Sequence, residues 1–314
     1  MARVITVRSF AKINLSLKVR GPRVNGYHEL QTVFQTIGLA DTLTFRVVEG
    51  PFRLSCTRDD VPIDEHNLVW RAAAALWAAA GRAGSPAGVS VAIRKSIPPR
   101  SGLGGGSANA AATLLALPRL WRVRVPAHTI EEIGAALGAD VPFFLCGGTA
   151  LGLGRGDQIY PLADIPRSAV VIVCPPFGVL TAEAFGWFDA EHEARPSVCR
   201  TEEAPGPPQV IWRCDASHLV NDLEPCVRRR HPVIGELSRW LLAGGARAAA
   251  MSGSGAAVFG LFSEPSRAVR AAARLAREGW LALATRTLTR REYAARSRPT
   301  EARRPRSWLG RRAG

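Results

Sequence analysis

A glycine-rich loop that runs straight into an alanine- and leucine-rich segment restricts the fold of this chain more than any other feature. The segment reads SIPPRSGLGGGSANAAATLLALP over residues 96–118, and four of the five residues 102–106 are glycine. Consecutive glycines let the backbone adopt positive φ and approach a ligand without an intervening Cβ. The pattern predicts a turn and then a helix over about 107–117, with Ser107 as its N-cap and Pro118 at its end.

The start of this predicted helix has two interpretations. A helix N-terminus carries free N–H groups and partial positive charge, so a phosphate can bind over residues 104–107. The alternative is a flexible turn between a strand and a helix, which is the commoner meaning of an isolated glycine run. Known nucleotide-binding patterns do not decide between these two interpretations, because the loop matches neither of them. No Gly-Lys-Ser/Thr follows the loop, and Ser107 stands where G-x-G-x-x-G requires its last glycine. The loop alone leaves both interpretations open.

The composition indicates a globular protein of two domains. The chain has 314 residues, of which 47% are hydrophobic, and no apolar run is long enough to span a membrane. The first residues lack the pattern of a secretory signal. The six cysteines are scattered without a C-x-x-C pair, which argues against a zinc site or a disulfide framework. We expect a cytoplasmic protein with reduced thiols.

The formal charge of +15 suggests nucleic-acid binding, but the charge is unevenly distributed. Residues 286–314 hold ten arginines and two glutamates, and the end of the chain has little apolar content. We therefore predict a basic, disordered tail over 290–314, and binding of nucleic acid through this tail is one alternative function. Lysine occurs only at positions 12, 18 and 95. In a chain that prefers arginine so strongly, these positions favour the compact point charge of lysine.

Strands and helices follow one another without strict alternation, which is typical of an α+β protein. Two strands separated by a turn near Asp41 are predicted over 30–49, and a Gly-Ser loop is predicted to join two strands near 252–255. The predicted domain limits are 1–160 for an N-terminal domain and 161–289 for a C-terminal α+β domain.

Several motifs together resemble one kinase family. IPPRSGLGGGSANAAATL is similar to the P-x-x-x-G-L-G-S-S-A signature of the small-molecule kinases that include galactokinase, homoserine kinase, mevalonate kinase and phosphomevalonate kinase. The triple glycine resembles one branch, the 4-diphosphocytidyl-2-C-methyl-D-erythritol kinases. Further segments resemble that branch in order along about residues 8–285: AKINL, NGYHEL, NLVWRAA, GADVPFFL, GTALGLGRGD, NDLE and SGSGAAVF. The ordered set is far more specific than any single motif.

The resemblance implies a two-domain kinase fold with its active site in the cleft between the domains. It also implies ATP as cosubstrate, an accompanying Mg²⁺ ion, and phosphorylation of the 2-hydroxyl of 4-diphosphocytidyl-2-C-methyl-D-erythritol. That reaction belongs to the non-mevalonate route to isoprenoid precursors. Another kinase of the same family, of the homoserine or mevalonate type, is the alternative. The sequence assigns no carboxylate to the metal.

The resemblance gives three polar residues a place at the reacting hydroxyl. Asp140 matches the family's catalytic aspartate, Lys12 its partner cation, and Asn14 lies two residues further on the same strand face as a hydrogen-bond donor to the substrate. Taken without the resemblance, Asp140 reads as a turn aspartate with a local Asx bond, and Lys12 as a solvated lysine. Whether Asp140 acts as a base or as an orienting charge stays open.

An aromatic pair is implied to bind the cytosine base. Tyr27 would stack on the base and His28 would contact its polar edge. Phe185 is assigned either to the other face of the base or to the core of its helix. A cytosine site argues against the homoserine and mevalonate alternatives, whose substrates have no base.

The resemblance implies that the glycine loop and the residues around it bind ATP. Relative to the signature, Ala108 replaces a second serine, and Arg100 and Ser101 replace small residues. A second loop over 253–255 either faces the first across the cleft or is a simple hairpin turn. The resemblance assigns ATP binding to Pro98, Pro99, Arg100, Ser101, Gly102, Leu103, Gly104, Gly105, Gly106, Ser107 and Ala108, with Asn67, Leu68 and Lys95 near the adenine.

Overall fold

The computed structural model describes residues 3–23, 26–193 and 219–301. Its strands are β1 (Val4–Pro22), β2 (His28–Pro51), β3 (Arg53–Cys56), β4 (Ala87–Arg94), β5 (Thr149–Leu153), β6 (Gln158–Pro161), β7 (Ala169–Cys174), β8 (Val220–Asn221), β9 (Ala248–Met251), β10 (Val258–Phe262), β11 (Leu281–Arg286) and β12 (Thr300–Glu301). Its helices are α1 (Leu68–Ala79), α2 (Gly105–Trp121), α3 (Ala127–Leu137), α4 (Val141–Cys146), α5 (Thr181–Glu193), α6 (Glu224–Arg230), α7 (Val233–Ala243), α8 (Pro265–Arg277) and α9 (Arg290–Ser297).

The strands form two sheets, and helices cover them, so the predicted α+β class is confirmed. The larger sheet has the order β12-β1-β2-β4-β3, with β5 and β6 continuing from β2 and β8 pairing with β1. The smaller sheet has the order β11-β7-β10-β9. No helix in the described ranges is both long and apolar enough to cross a membrane.

Three of the four buried clusters in the described ranges pack the sheets against their helices and against each other. One joins the larger sheet to α1, α2 and α4, and a second joins the smaller sheet to α5–α8. The third lies between the sheets, where Ile13 and Leu151 of the larger sheet pack with Ile172 and Phe259 of the smaller one. Burial of these apolar side chains fixes how the sheets face each other and where the cleft between them opens.

The predicted turn near Asp41 is wrong, because β2 runs unbroken through this residue. Asp41 is completely buried and accepts hydrogen bonds from the backbone N–H groups of Ser96 (2.7 Å) and Ile97 (2.8 Å) and from Lys95 Nζ. A buried aspartate with this many donors is a structural anion rather than a turn residue.

The predicted limits of the helix after the glycine loop are also corrected. The helix α2 begins at Gly105 rather than Ser107, its N-cap is Gly104 in the left-handed region (φ 71°), and Ser107 does not cap it. Pro118 lies inside the last turn instead of ending the helix. Proline disfavours a helix interior, but the buried Leu120 and Trp121 hold this last turn in the core.

The prediction of a disordered tail over 290–314 is wrong for residues 290–301, which form α9 and β12, while residues 302–314 lie outside the described ranges. Tyr293 is buried against Phe10, with ring centroids 6.0 Å apart, and its hydroxyl donates to the carbonyl of Phe144 in α4. The guanidinium of Arg290 donates to the carbonyls of Thr149 (2.7 Å) and Leu162 (3.0 Å). One buried tyrosine and the two hydrogen bonds of the Arg290 guanidinium stabilise the fold of a segment whose composition suggests disorder.

The two halves of the chain meet directly beside the glycine loop. Ser252 Oγ donates to the carbonyl of Gly102 (3.1 Å), and the N–H of Ala257 donates to the carbonyl of Ser101 (3.1 Å). Gly102 has a φ of +76°, and a Cβ on it would collide with the carbonyl of Ser252. Glycine at this position therefore permits the close contact between the loop and the smaller sheet.

Truncation tests the role of α9. We expect a chain that ends at Leu288 to lose more than about 3 kcal/mol of unfolding free energy, because removal of Tyr293 exposes an apolar pocket and leaves the Phe144 carbonyl without its donor. The matched control ends at Glu301, keeps α9 and β12, and is expected to unfold like the full chain. Urea titration measures both, and equal stability of the two truncated chains would contradict the role of α9.

A pair of alanine substitutions tests the contact at Gly102. Gly102→Ala is expected to destabilise the protein by about 2 kcal/mol or more, because of the positive φ and the collision with Ser252. Gly106→Ala is the control, since the Cβ there meets only Leu68 Cδ1 at 3.5 Å and alanine favours a helix. If Gly102→Ala unfolds at the same urea concentration as the wild type, the requirement for glycine at this contact is wrong.

Candidate active site

A cavity of about 840 Å³ opens between the glycine loop, the β1–β2 ribbon, α5 and the loop that follows β9. Eighteen of the twenty predicted site residues line it, although they come from segments far apart in the chain. They are Lys12, Asn14, Tyr27, His28, Asn67, Leu68, Lys95, Pro98, Pro99, Arg100, Ser101, Gly102, Gly104, Gly105, Gly106, Ser107, Asp140 and Phe185.

Leu103 and Ala108 are the two predicted ATP-binding residues that do not line the cavity. Their side chains are buried in the core, at 0% and 3% exposure. The Ala108 N–H donates to the carbonyl of Gly104 (2.9 Å), and the Leu103 carbonyl accepts from the N–H of Lys12 (3.0 Å). Both side chains therefore lie in the core behind the loop, and ATP binding by these two residues stays a prediction.

Lys12 and Asp140 form an ion pair at the cavity wall, with 3.3 Å between Nζ and Oδ2. The Lys12 side chain is 4% exposed, so the interpretation as a solvated lysine is wrong. Asp140 precedes α4, but its side chain makes no capping hydrogen bond, so the local Asx interpretation also fails. The carboxylate remains about one third exposed toward the cavity. A buried ammonium beside a cavity-facing carboxylate suits proton transfer and charge stabilisation.

The local structure of β1 aims Lys12 and Asn14 at the cavity. The pairing of β1 with β2 shifts register between Phe10 and Lys12 and again between Asn14 and Ser16. Such bulges redirect side chains. Lys12 Nζ donates to Asn14 Oδ1 (2.6 Å), and Asn14 Nδ2 donates to Thr32 Oγ1 (2.8 Å). This chain of hydrogen bonds holds the ammonium in one place.

The start of α2 presents its N–H groups beside Lys12. A Cβ on Gly104 would lie 3.1 Å from Lys12 Cγ and 2.8 Å from the Phe144 ring, so glycine is required for this approach. A Cβ on Gly105 would lie 2.8 Å from Lys95 Nζ, which places a second cation against the helix N-terminus. Helix dipole and ammonium groups together make this end of the cavity suited to phosphate groups.

Two buried polar residues at this end were missed by the sequence interpretation. Asp41 pairs with Lys95 and fixes the segment that enters the glycine loop. Asn109 lines the cavity, and its Oδ1 is buried without a hydrogen-bond partner within the described residues. Asn67, by contrast, uses its side chain to cap α1 through Val69 N (2.8 Å). A charged residue within a segment of strand-forming residues was the sequence signal that could have identified Asp41 as a buried structural anion.

The opposite end of the cavity is aromatic. The His28 ring stacks on Phe185, with centroids 4.7 Å apart and 17° between the planes, and His28 Nε2 lies 2.7 Å from Asp189 Oδ1. The Arg155 guanidinium lies 5.1 Å from the centroid of Tyr27, and its hydrogen bond with Asp157 raises the pKa of Arg155. Phe185 therefore lines the cavity and also packs against the core. The sequence interpretation missed Asp189 and Arg155.

The second glycine loop reaches the ion pair from the smaller sheet. It joins β9 to β10 as a hairpin, and it also faces the first loop: a Cβ on Gly253 would lie 3.2 Å from both Lys12 Nζ and the Gly102 carbonyl. Asn221 Nδ2 donates to the carbonyls of Met251 (2.9 Å) and Gly253 (2.8 Å). Glu224 accepts from Met251 N (2.9 Å), and burial raises the pKa of its carboxyl. The NDLE motif thus holds this loop in place.

The described residues contain no group of three metal-ligating side chains. Mg²⁺ commonly takes only one or two protein ligands and completes its shell with phosphate oxygens and water. In this cavity, Asp140 and the Ser107 hydroxyl are oxygen donors beside the helix N-terminus. These two oxygen donors of the described residues fit a metal that arrives with a phosphate ligand.

Comparison with known proteins agrees with this geometry. Residues 67–148 match the GHMP kinases N terminal domain, and residues 213–280 match the GHMP kinases C terminal domain. Two solved structures share the fold at low sequence identity: homoserine kinase from Cytophaga hutchinsonii (18% identity, TM-score 0.60, 95% of this chain and 97% of that one) and a mevalonate kinase (11% identity, TM-score 0.62, 90% of this chain and 99% of that one).

Relatives of higher sequence identity carry the name of one kinase. The 4-diphosphocytidyl-2-C-methyl-D-erythritol kinase of Moorella thermoacetica is 42% identical over 289 residues, which cover 91% of this chain and 99% of that protein. The protein of the same name from Geobacter sulfurreducens is 41% identical over 90% of this chain and 99% of its own length. A crystal structure of 4-(cytidine 5'-diphospho)-2C-methyl-D-erythritol kinase has 36% identity and a TM-score of 0.72, over 90% of this chain and 98% of that one. The chain belongs to the 4-diphosphocytidyl-2-C-methyl-D-erythritol kinase family, a branch of the GHMP kinases.

Proposed function

We propose that the protein transfers the γ-phosphoryl group of ATP to the 2-hydroxyl of 4-diphosphocytidyl-2-C-methyl-D-erythritol. The family membership supports the substrate, and one observation carries the chemistry. The buried Lys12–Asp140 pair stands in the cavity between a helix N-terminus that suits phosphates and an aromatic end that suits a base. Phosphoryl transfer needs this kind of positioning and charge neutralisation more than it needs covalent chemistry.

In the proposed reaction, Asp140 accepts the proton of the attacking hydroxyl. A new bond forms between the substrate oxygen and the γ-phosphorus, the bond from that phosphorus to the bridging oxygen of ATP breaks, and ADP leaves. Lys12 stabilises the negative charge that develops on the transferred group. Asn14 holds the Lys12 ammonium through its Oδ1 and lines the cavity toward the substrate.

The ATP phosphates are proposed to lie against the N-terminus of α2, from Gly104 to Ser107, with Lys95 beneath them. The segment from Pro98 to Gly102, together with Asn67 and Leu68, would bound the nucleotide on its outer side. Bound Mg²⁺ would neutralise phosphate charge, with the Ser107 hydroxyl as a protein donor in the cavity. Asn109 Oδ1 offers an unused acceptor on the same wall.

The cytosine is proposed to bind at the aromatic end, in contact with Tyr27, His28 and Phe185. Stacking and edge contacts are the means by which proteins hold a single base. The homoserine- and mevalonate-type alternatives do not explain the aromatic end of this cavity, because their substrates have no base to stack on it. Nucleic-acid binding through the tail loses the support of Arg290, because the guanidinium of this residue donates to the carbonyls of Thr149 and Leu162 within the fold.

The domain limits remain a proposal: residues 1–160 for ATP binding and 161–289 for the second domain. The two sheets support this division, although β8 and β12 from the second half of the chain pair with β1. Because the proposed substrate is a charged, water-soluble nucleotide, we place the reaction in the cytoplasm.

The direct test supplies purified protein with ATP, Mg²⁺ and 4-diphosphocytidyl-2-C-methyl-D-erythritol. We expect ADP release that depends on this substrate and a product phosphorylated at the 2-hydroxyl by NMR. Turnover of homoserine or mevalonate instead, with no ADP release from the cytidine substrate, would overturn the proposal.

Substitutions of the ion pair test the mechanism. Asp140→Asn and Lys12→Met are each expected to lower kcat by about 100-fold or more, because proton acceptance or charge stabilisation is lost in the transition state. Lys18→Met and Asp59→Asn are matched controls, since both residues are exposed and outside the cavity. Steady-state kinetics at saturating ATP measures the effect, and wild-type kcat in either ion-pair variant would rule out the assigned roles.

A further inference from the structure

The helix α5 presents two side chains one turn apart to a single imidazole. Phe185 and Asp189 have the i,i+4 spacing that places residues on one helix face. Phe185 stacks on the His28 ring, and Asp189 Oδ1 lies 2.7 Å from His28 Nε2. Phe188 adds an edge contact, with centroids 6.3 Å apart and the planes at 88°. The ring of His28 is therefore held in both position and rotation.

The Asp189 contact also decides which ring nitrogen of His28 carries hydrogen. An ionised carboxylate can only accept, so Nε2 must donate to Oδ1. In the neutral ring this leaves Nδ1 as an acceptor, because each neutral imidazole has one donor and one acceptor nitrogen. The side chain of His28 is 11% exposed, whereas that of Asp189 is 45% exposed. Both residues line the cavity.

An acceptor at Nδ1 distinguishes the two common pyrimidines by their exocyclic groups. Cytosine carries an amino donor at position 4, whereas the group at the same position of uracil is a carbonyl acceptor. Facing an acceptor nitrogen, cytosine gains a hydrogen bond, while uracil places two acceptors against each other. Discrimination by a hydrogen bond of this kind is strong, because the wrong partner leaves polar groups unpaired.

We propose that Asp189 is a positioning residue that fixes the His28 tautomer and so makes the site select cytosine over uracil. The inference rests on the proposed function, since it assumes that the base binds beside His28. Asp189 does not touch the base in this arrangement. It acts through His28, whose Nδ1 accepts from the 4-amino group.

The test compares binding of cytidine 5′-diphosphate and uridine 5′-diphosphate to the full chain by calorimetry. The wild type is expected to bind the cytidine nucleotide at least about tenfold more tightly. Asp189→Asn replaces a pure acceptor with an amide that can also donate, so both tautomers become available. We expect the ratio of the two dissociation constants to fall to about threefold or less, chiefly because the uridine nucleotide binds better.

Two further variants separate selection from packing. His28→Phe keeps a ring against Phe185 and removes both nitrogens, so it is expected to lose the preference as well. Glu191→Gln is the matched control: it removes one charge from the same helix, but Glu191 pairs with Arg229 and Arg230 and does not line the cavity. It is expected to keep the wild-type ratio.

A purely structural role for Asp189 would weaken both nucleotides equally and leave the ratio unchanged, and that result would overturn the inference. A wild type without preference, or one that binds neither nucleotide, would do the same. The binding test of this inference and the turnover test of the proposed function can fail independently. A wild type that shows the Asp189-dependent preference but transfers no phosphoryl group contradicts the proposed function, whereas an active enzyme with an unchanged ratio in Asp189→Asn contradicts only this inference.

Discussion

The burial of Lys12 beside Asp140 is the constraint on which the rest of the structure depends. An ammonium that is almost fully buried is costly unless an anion and further hydrogen bonds compensate it. Asn14 supplies one acceptor, and Asp140 supplies the charge. Removing Asp140 would leave the buried ammonium without a counter-charge, and removing Asn14 would leave it short of one acceptor, so the surroundings of Lys12 have little freedom to vary.

Much of the neighbouring backbone can be explained by this requirement. Bulges on both sides of the Lys12–Asn14 segment turn the two polar side chains to the cavity. Glycine at positions 104 and 253 lets the two loops approach Lys12 more closely than a Cβ would allow. Each loop is then fixed by a buried carboxyl group away from the reaction, Asp41 for the first and Glu224 for the second. The ion pair is thus surrounded by backbone segments that are each held by buried hydrogen bonds.

The sequence predicts which residues meet at the cavity far better than it predicts their local structure. Ordered motifs place Lys12, Asp140 and the glycine loop together, although Lys12 alone reads as a solvated strand residue. The residues that were missed depend on distant partners. Asp189 is part of the cavity wall through its contact with His28, which lies 161 positions away in the chain. Local patterns carry no signal for such a contact.

The errors in the fold have the same cause. Asp41 resembles a turn residue until the donors of residues 95–97 are in place, and the arginine-rich segment of α9 resembles a disordered tail until Tyr293 is buried. In both cases a tertiary contact outweighs local propensity, because burial of one well-satisfied side chain contributes more free energy than composition along a short segment.

The proposed base site and the proposed site of phosphoryl transfer lie on separate parts of one β-ribbon. His28 begins β2 opposite Pro22, while Lys12 lies opposite Thr36 in the same pairing of β1 with β2. The strand pairing fixes the spacing between these two parts of the ribbon. In the proposed arrangement, this spacing sets the distance between a base at the aromatic end and a hydroxyl beside Asp140. On that proposal, a change in how His28 is held alters which nucleotide binds, whereas the chemical step depends on the ion pair. Selectivity and rate would then vary independently, because the two parts share a scaffold without sharing side chains.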